Sequence, residues 1–261
     1  MLNRIIMFIS ITILLTGCVA PAKNLINPET LGQVRCASFG AGVLGAPIAA
    51  ATYNDCINKA TVAGFVDLEN YERNEGPKVE RISGKDIKAN KPLWGIGSKW
   101  IYKIKNTDII ETYEVQGQTF MDKRPVFIMM VTDNKNSKGT ELYITENLES
   151  AMRIEAGKKQ IWKPPFQDYQ WPLEVNKRWD AKSIIESEKG SMDASLHFEV
   201  KEYGKITVEA GTFETFYILV RNDLGMRFCE LWYSPKVGYI VKKVNYGNTS
   251  VTAELIKYNG R

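Results

Sequence analysis

The chain has 261 residues, of which 34 are basic and 30 acidic, and 44% of them are hydrophobic. This near balance of charge gives no reason to expect a nucleic-acid partner, and the apolar fraction is large enough to bury a core. The length fits one large β domain or two small ones.

The first 18 residues are typical of a secretory signal peptide. Arg4 supplies the positive start, and residues 5–15 form an apolar run that is too short to span a bilayer comfortably. The run ends in Leu-Thr-Gly-Cys18, which resembles the lipobox of bacterial lipoproteins, in which the cysteine is acylated and becomes the first mature residue. Within that resemblance, Val19 in place of Asp implies transfer to the outer membrane. The alternative is an ordinary cleaved signal with a chance cysteine.

The remaining cysteines predict one disulfide. An exported chain enters an oxidising compartment, so we expect Cys36 to pair with Cys56, since the two bracket one Gly/Ala-rich segment within a small module at 19–66. Such a bridge is worth about 3 kcal/mol. Cys229 is then unpaired, and in a strand-like run a thiol is more often a small buried hydrophobe than a nucleophile.

The segment between these two cysteines, residues 37–53, has no charge and is rich in small residues spaced four apart. Because Pro47 interrupts it, we expect a packed hairpin, with membrane contact as the alternative. Gly40, Gly42 and Gly45 have the spacing of a dinucleotide-binding turn. That spacing signals a site only between a strand and a helix, a context the sequence does not offer here.

A helix and a linker are predicted next. Asn54 or Asp55 is expected to cap a helix that runs to Ala63 and stops at Gly64. Residues 67–91 are highly charged and contain Gly and Pro, which predicts a linker.

From residue 92 onward the chain consists almost wholly of strand signals. Alternating, β-branched and aromatic runs are separated by short turns, which is typical of an antiparallel meander. The predicted turns lie at 117–118, 138–139, 210–211 and 246–247. The predicted strands are Lys99–Lys105, Ile109–Val115, Val126–Thr132, Glu141–Thr145, Lys177–Ile185, Leu196–Tyr203, Phe213–Arg221, Phe228–Tyr233, Tyr239–Tyr246 and Val251–Tyr258.

Three sequence elements recur in the same order, which indicates a duplicated β unit. They are Pro92–Trp100 with Pro172–Trp179, Val115–Phe120 with Val208–Phe213, and Glu141–Tyr143 with Glu230–Trp232. We therefore predict two units, 92–166 and 171–259, that form a mainly β fold with a curved sheet or half barrel.

The second unit also resembles known families. Its Val208-Glu-Ala-Gly-Thr-Phe213 and Leu231-Trp-Tyr-Ser-Pro-Lys-Val-Gly238 resemble the AGTF…WYxPxVG signature of bacterial envelope lipoprotein families of unknown function. The resemblance covers about the C-terminal half and implies a curved sheet similar to the half barrels of lipoprotein carriers. It implies turn-forming roles for Gly211 and Gly238, and it transfers no catalytic residue.

Motifs that carry chemistry are not found in the sequence. There is no H-E-x-x-H, C-x-x-C or G-x-S-x-G pattern, and His197 is the single histidine. Because His197 lies in an alternating run, we expect a surface or hydrogen-bonded strand residue rather than an acid/base group. We expect no metal and no cofactor.

Four aromatic residues cluster around two prolines between the β units: Trp162, Phe166, Tyr169 and Trp171. One interpretation is a binding groove for an acyl chain, a glycan or a partner peptide. The other is that these side chains seal the junction between the two units.

Two classes of function fit these observations. The first is a non-catalytic outer-membrane lipoprotein that faces the periplasm and binds or scaffolds a lipid, a glycan or a protein. The alternative is an envelope hydrolase or transferase that uses carboxylates. Since the sequence shows no nucleophile, metal or histidine constellation, the non-catalytic class is favoured.

Replacing Cys18 tests the predicted anchor. In Cys18→Ser the acylated thiol is lost, so we expect the protein to appear in soluble fractions or to keep its signal peptide. Fractionation of cells and the intact mass of the protein measure this. A variant that stays acylated and bound to the membrane would contradict the lipobox.

Overall fold

The chain folds as a small N-terminal module followed by a large antiparallel sheet. The computed structural model describes residues 22–37, 45–74, 80–82, 87–135, 139–246 and 250–259. The predicted lipobox at Cys18 lies outside these ranges, as do Gly40 and Gly42 of the glycine-rich turn. None of the described helices has the length and apolar character needed to cross a membrane.

The N-terminal module combines a three-stranded sheet with two helices. Its elements are β1 (Ala22–Ile26), β2 (Gln33–Ala37), α1 (Gly45–Val62), β3 (Val66–Asp67) and α2 (Leu68–Asn74). The strand order is β2-β1-β3 and all pairings are antiparallel. Leu25, Cys36 and Ala60 are buried together, so α1 packs on the sheet. Cys36 is bonded to Cys56 of α1, which confirms the predicted disulfide.

Helix α1 begins earlier than the sequence predicts. It starts at Gly45, so the prediction that Asn54 or Asp55 caps it is wrong. Pro47 is the third residue of the helix, and proline is tolerated in a first turn because the N–H groups there have no partner within the helix. Gly64 follows the helix with a φ of 81°, as expected for a stop.

The remaining strands fall into two sets of six, one in each predicted β unit, plus three short strands. The short ones are β4 (Glu80–Arg81), β5 (Lys88–Ala89) and β12 (Leu173–Glu174). The first unit contains β6 (Lys99–Ile104), β7 (Ile110–Met121), β8 (Arg124–Asp133), β9 (Thr140–Thr145), β10 (Ser150–Glu155) and β11 (Lys158–Phe166). The second contains β13 (Arg178–Ser187), β14 (Gly190–Val208), β15 (Gly211–Asn222), β16 (Arg227–Ser234), β17 (Tyr239–Asn245) and β18 (Val251–Asn259).

The twelve long strands form one closed ring. Within each unit, strands that follow one another in sequence pair with one another, and the units meet at β6–β18 and β11–β13. Because β13 also pairs with β14, the described strands close into an antiparallel barrel. The predicted duplicated meander is confirmed, and each unit forms one half of the barrel.

Two strands of the ring, β10 and β11, are missing from the sequence prediction, whereas the other ten lie where they are expected. The segment 67–91, for which a linker is predicted, contains β4 and β5. Strand β4 pairs with β14, and β5 pairs with β12. This segment is therefore attached to the barrel side of the molecule at two points.

One element of the predicted repeat is placed differently in the two units. Val208–Phe213 spans the β14–β15 turn, whereas Val115–Phe120 lies inside β7, where the register to β8 shifts before Gly117. The predicted turn at 117–118 is wrong, because the strand continues through Gly117, which pairs with Ile128 just after a β-bulge at Gln116. The corresponding turn of the first unit lies at residues 122–123, both with positive φ.

Two tryptophans tie each unit to a turn of the other. Trp94, just ahead of β6, donates its indole N–H to the Gly238 carbonyl in the β16–β17 turn at 2.9 Å. Trp171, just ahead of β13, donates to the Asn147 carbonyl in the β9–β10 turn at 3.2 Å. These turns join the fourth and fifth strands of their units, so the two contacts are reciprocal across the barrel.

The N-terminal module is attached to the barrel near the β15–β16 turn. The Gln33 side chain donates to the Arg227 carbonyl at 2.8 Å and accepts from the Arg227 N–H at 2.9 Å. Asn24 and Arg35 both donate to the carbonyl of Leu224. The module is thus held against the second unit.

Trp100 tests the contribution of these cross-barrel contacts. It is 1% exposed and donates its indole N–H to the Val237 carbonyl at 3.2 Å. Trp100→Phe removes that bond and leaves a cavity, so we expect the free energy of unfolding to fall by about 2–4 kcal/mol in denaturant titrations.

The matched control is Trp162→Phe, the same chemical change at a partly buried ring. We expect it to lower the free energy of unfolding by about 1 kcal/mol or less. Equal losses in the two variants would contradict a special role for Trp100.

Candidate functional site

The candidate site is a cavity of about 250 Å³ inside the barrel. Both units contribute side chains to it, so the cavity depends on the meeting of the two halves. Its wall contains aromatic, aliphatic and charged side chains. The wall consists of Trp94, Tyr102, Glu111, Tyr113, Leu142, Ile144, Leu148, Ser150, Asp168, Tyr169, Leu231, Tyr239, Ile240, Lys243 and Ala253.

Strand register explains why these side chains share one space. Leu231 on β16, Lys243 on β17 and Ala253 on β18 are direct cross-strand partners, so all three point to the same face. In the first unit, Ile144 on β9 and Ser150 on β10 are partners in the same way. Because side chains alternate between the two faces of a strand, each unit contributes one row of neighbouring side chains that point into the barrel.

Tyr239 is at the centre of the aromatic part of the wall. Its ring lies 5.3 Å from that of Trp94, 4.8 Å from that of Trp100 and 6.2 Å from that of Tyr113. Burial raises the pKa of the Tyr239 hydroxyl, and that of Tyr102 in the same way. These phenols therefore stay protonated at physiological pH and remain hydrogen-bond donors.

Asp168 is a cavity residue whose carboxyl group has a raised pKa. Burial raises its pKa from 3.8 to about 6, because the charged carboxylate is poorly solvated there. The Ser150 N–H and hydroxyl donate to this carboxylate at 3.2 and 2.6 Å, and together with the nearby ammonium of Lys243 they oppose the rise. Asp168 is thus fixed in position and changes charge not far below neutral pH.

The hydroxyls of two further tyrosines on the wall are hydrogen-bonded within the protein. The Tyr102 hydroxyl donates to the Ile240 carbonyl at 2.6 Å, which ties β6 to β17 across the interior. The Tyr113 hydroxyl donates to the Glu111 carboxylate at 3.2 Å. These bonds stabilise the wall and leave no donor open at either tyrosine.

Three other donors at the cavity are left open. Among the residues that the structure describes, no hydrogen bond or ion pair involves the Lys243 ammonium or the hydroxyls of Tyr169 and Tyr239. Polar groups removed from bulk water are normally hydrogen-bonded. The cavity can therefore offer a charged donor and two neutral donors to a guest.

The four aromatic residues for which a groove or a sealed junction is expected are only partly brought together. Tyr169 lines the cavity, and Trp171 stacks on it with ring centroids 5.1 Å apart. Trp162 and Phe166 lie on β11, where Phe166 is buried against Phe198. Both pack into the same barrel core.

Cys229 and His197 lie apart from the cavity wall. Cys229 is free and buried, and burial raises its thiol pKa to about 12, so the thiolate is not available. His197 is on the surface, with Asp180 at 2.7 Å and Asp223 at 2.9 Å from its two ring nitrogens, and the Asp180 hydrogen bond is the main cause that raises its pKa. Ser195 donates to Asp223 and not to the imidazole, so no nucleophile–base pair is formed.

Metal-binding geometry is likewise not found in the described ranges, where no three His, Cys, Asp or Glu side chains form a possible ligand group. The residues that sequence analysis missed are Asp168, Ser150 and Lys243. Asp168 stands next to Tyr169 in the aromatic stretch, which is the one sequence signal that points to it. Ser150 and Lys243 carry no such signal.

Comparisons with known proteins give a distant likeness to solved structures. No family model matches the chain, and no curated protein matches it significantly. A candidate lipoprotein of Parabacteroides distasonis is 13% identical with a TM-score of 0.34, covering 67% of this chain and 100% of its own. A candidate exported protein of Bacteroides fragilis with a YmcC-like fold is 10% identical with a TM-score of 0.38, covering 66% and 99%. The hypothetical lipoprotein YmcC of Escherichia coli is 7% identical with a TM-score of 0.37, covering 63% and 85%. At these values we draw no functional conclusion from the likeness.

Asp168→Asn tests the buried acid. The folded protein holds the Asp168 proton more tightly than the unfolded chain does, since its pKa is about 6 rather than 3.8. Relative to the variant, the native protein is therefore expected to lose about 1–3 kcal/mol of stability as the pH rises from about 4 to about 6. Denaturant titrations of both proteins across this range measure the difference. A difference that does not change with pH would contradict the shifted pKa.

Proposed function

We propose that this chain is a non-catalytic lipoprotein of the bacterial cell envelope whose barrel binds a small ligand. The observation that carries the proposal is the interior cavity with three donors that no described residue satisfies. A concave site with an apolar wall and a few polar groups is the usual form of a ligand pocket. The open donors favour a guest that supplies acceptors.

The size and polarity of the cavity favour a small molecule. Its volume of about 250 Å³ is below the roughly 300–1,000 Å³ of sites that enclose drug-sized ligands. Lys243 and Asp168 also make it more polar than a pocket for an acyl chain would be. We therefore favour a small, partly polar ligand over a lipid or an extended glycan.

The predicted anchor supports a place at the membrane. Acylation of Cys18 would hold the chain on the outer membrane facing the periplasm. Since β1 begins at Ala22, four residues later, the lipid would lie within about 14 Å of the N-terminal module. That module is attached to the barrel near the β15–β16 turn, so the barrel would be kept close to the lipid surface.

An envelope hydrolase or transferase is the second candidate, and one observation favours it. The carboxylates of Asp168 and Glu111 line the same cavity, and a pKa of about 6 suits Asp168 for general acid work. We rank this function second because Ser150 and Tyr113 engage the two carboxylates within the wall. The single histidine of the chain is not among the residues of that wall.

Filling the cavity tests ligand binding. In Ala253→Phe a ring replaces a methyl group on the wall, so we expect ligand occupancy to fall at least about tenfold. Native mass spectrometry of the full-length protein, released gently from the membrane, measures occupancy, and solvent extraction identifies the guest.

The matched control is Thr252→Phe, which adds the same ring on the neighbouring residue of β18, whose side chain points to the opposite face. It is expected to keep the ligand. A native protein that carries no guest, and takes none from an envelope extract, would refute the proposed function.

A further inference from the structure

Three groups of the cavity wall can donate hydrogen bonds and have no partner among the described residues. The Lys243 ammonium has three N–H donors and no acceptor, and the hydroxyls of Tyr169 and Tyr239 are free to donate. Each carboxylate of the wall already accepts a bond from the protein through one of its two oxygens. A guest that brings acceptors would satisfy the three open donors.

We propose that the cavity binds a small organic acid, with its carboxylate on Lys243 and its body against the aromatic rings. This inference names the ligand class of the proposed function and rests on that function. A carboxylate receives a charge-assisted hydrogen bond from an ammonium, the strongest type available here. Tyr169 and Tyr239 supply neutral donors beside it.

The aromatic wall sets the character of the ligand body. Trp94 and Tyr239 meet edge to face with ring centroids 5.3 Å apart, and both line the cavity. Such faces favour a planar or apolar group over a hydrated one. The small volume limits the body to about one ring or a short branched chain.

The charge of Asp168 affects the binding of anions and of cations in opposite directions. Asp168 is close enough to Lys243 for each charge to affect the other. An ionised Asp168 weakens the binding of an anion at Lys243, whereas it would strengthen the binding of a cation. Removing this carboxylate is therefore expected to raise the affinity for an anion and to lower the affinity for a cation.

Three probes that share one ring and differ in charge test the ligand class. They are phenylacetate, the neutral phenylacetamide and the cationic phenethylamine. We expect the full-length protein in detergent to bind phenylacetate at least about tenfold more tightly than the other two. Calorimetry measures the affinity, and a change in tryptophan fluorescence reports occupation of the cavity, since Trp94 is part of its wall.

Variants locate the site. Lys243→Gln is expected to weaken phenylacetate binding at least about tenfold, and Asp168→Asn to strengthen it about two- to fivefold at neutral pH. Tyr239→Phe keeps the ring, removes one open hydroxyl and is expected to weaken binding a few fold. If Lys243→Gln does not fold, the opposite signs of the other two variants still decide.

Lys242→Gln is the matched control. Lys242 is the neighbour of Lys243 on β17 but is absent from the cavity wall, and it is paired with Glu254 at 3.0 Å. Its substitution removes the same charge and should leave binding unchanged.

The outcomes separate this inference from the function on which it rests. Tighter binding of the amide or the amine, or weaker phenylacetate binding in Asp168→Asn, overturns the organic acid and leaves a ligand-binding barrel. Failure of all three probes to bind overturns the organic acid as well. The proposed function itself is contradicted only if the native protein carries no ligand and takes none from an envelope extract.

Discussion

Closure of the sheet at β6–β18 and β11–β13 is the constraint on which the rest of the structure depends. A six-stranded half barrel leaves two edges with unpaired main-chain groups and a concave apolar face exposed to water. Two such halves satisfy both edges and cover both faces at once. The indole bonds from Trp94 and Trp171 to the opposite units stabilise this arrangement, because each forms only when both halves are in place.

The same closure creates the chemistry of the interior. Lys243 comes from the second unit, Ser150 from the first, and Asp168 from the connection between them, so neither unit contains the site alone. Inside the barrel, polar groups have lost most of the water that would otherwise satisfy them. This loss raises the pKa of Asp168, and it leaves the open donors of the wall available to a ligand rather than to bulk solvent.

The sequence predicts the disulfide, the duplicated unit and ten of the twelve strands, because those features depend on local alternation, turn residues and cysteine spacing. Strand β11 escapes prediction since it is charged and contains Pro164 and Pro165, which are typical of loops. Since β11 forms one of the two junctions between the units, a sequence prediction that omits it cannot predict that the barrel closes. The turn predicted at Gly117 is wrong because glycine is common in turns but also occurs within strands beside β-bulges. Lys243 cannot be identified from the sequence, since its position on the cavity wall follows from the register of β17 with β16 and β18.

Amide hydrogen exchange at the two junctions tests most directly whether the units form one closed barrel. We predict that the amides paired between β6 and β18, and between β11 and β13, exchange only through global unfolding. Their opening free energies should then equal those of amides within one unit, such as the β15–β16 pair. A junction that opens at a much lower free energy, while the centre of each unit stays protected, would mean two half barrels in contact and would contradict a single closed barrel.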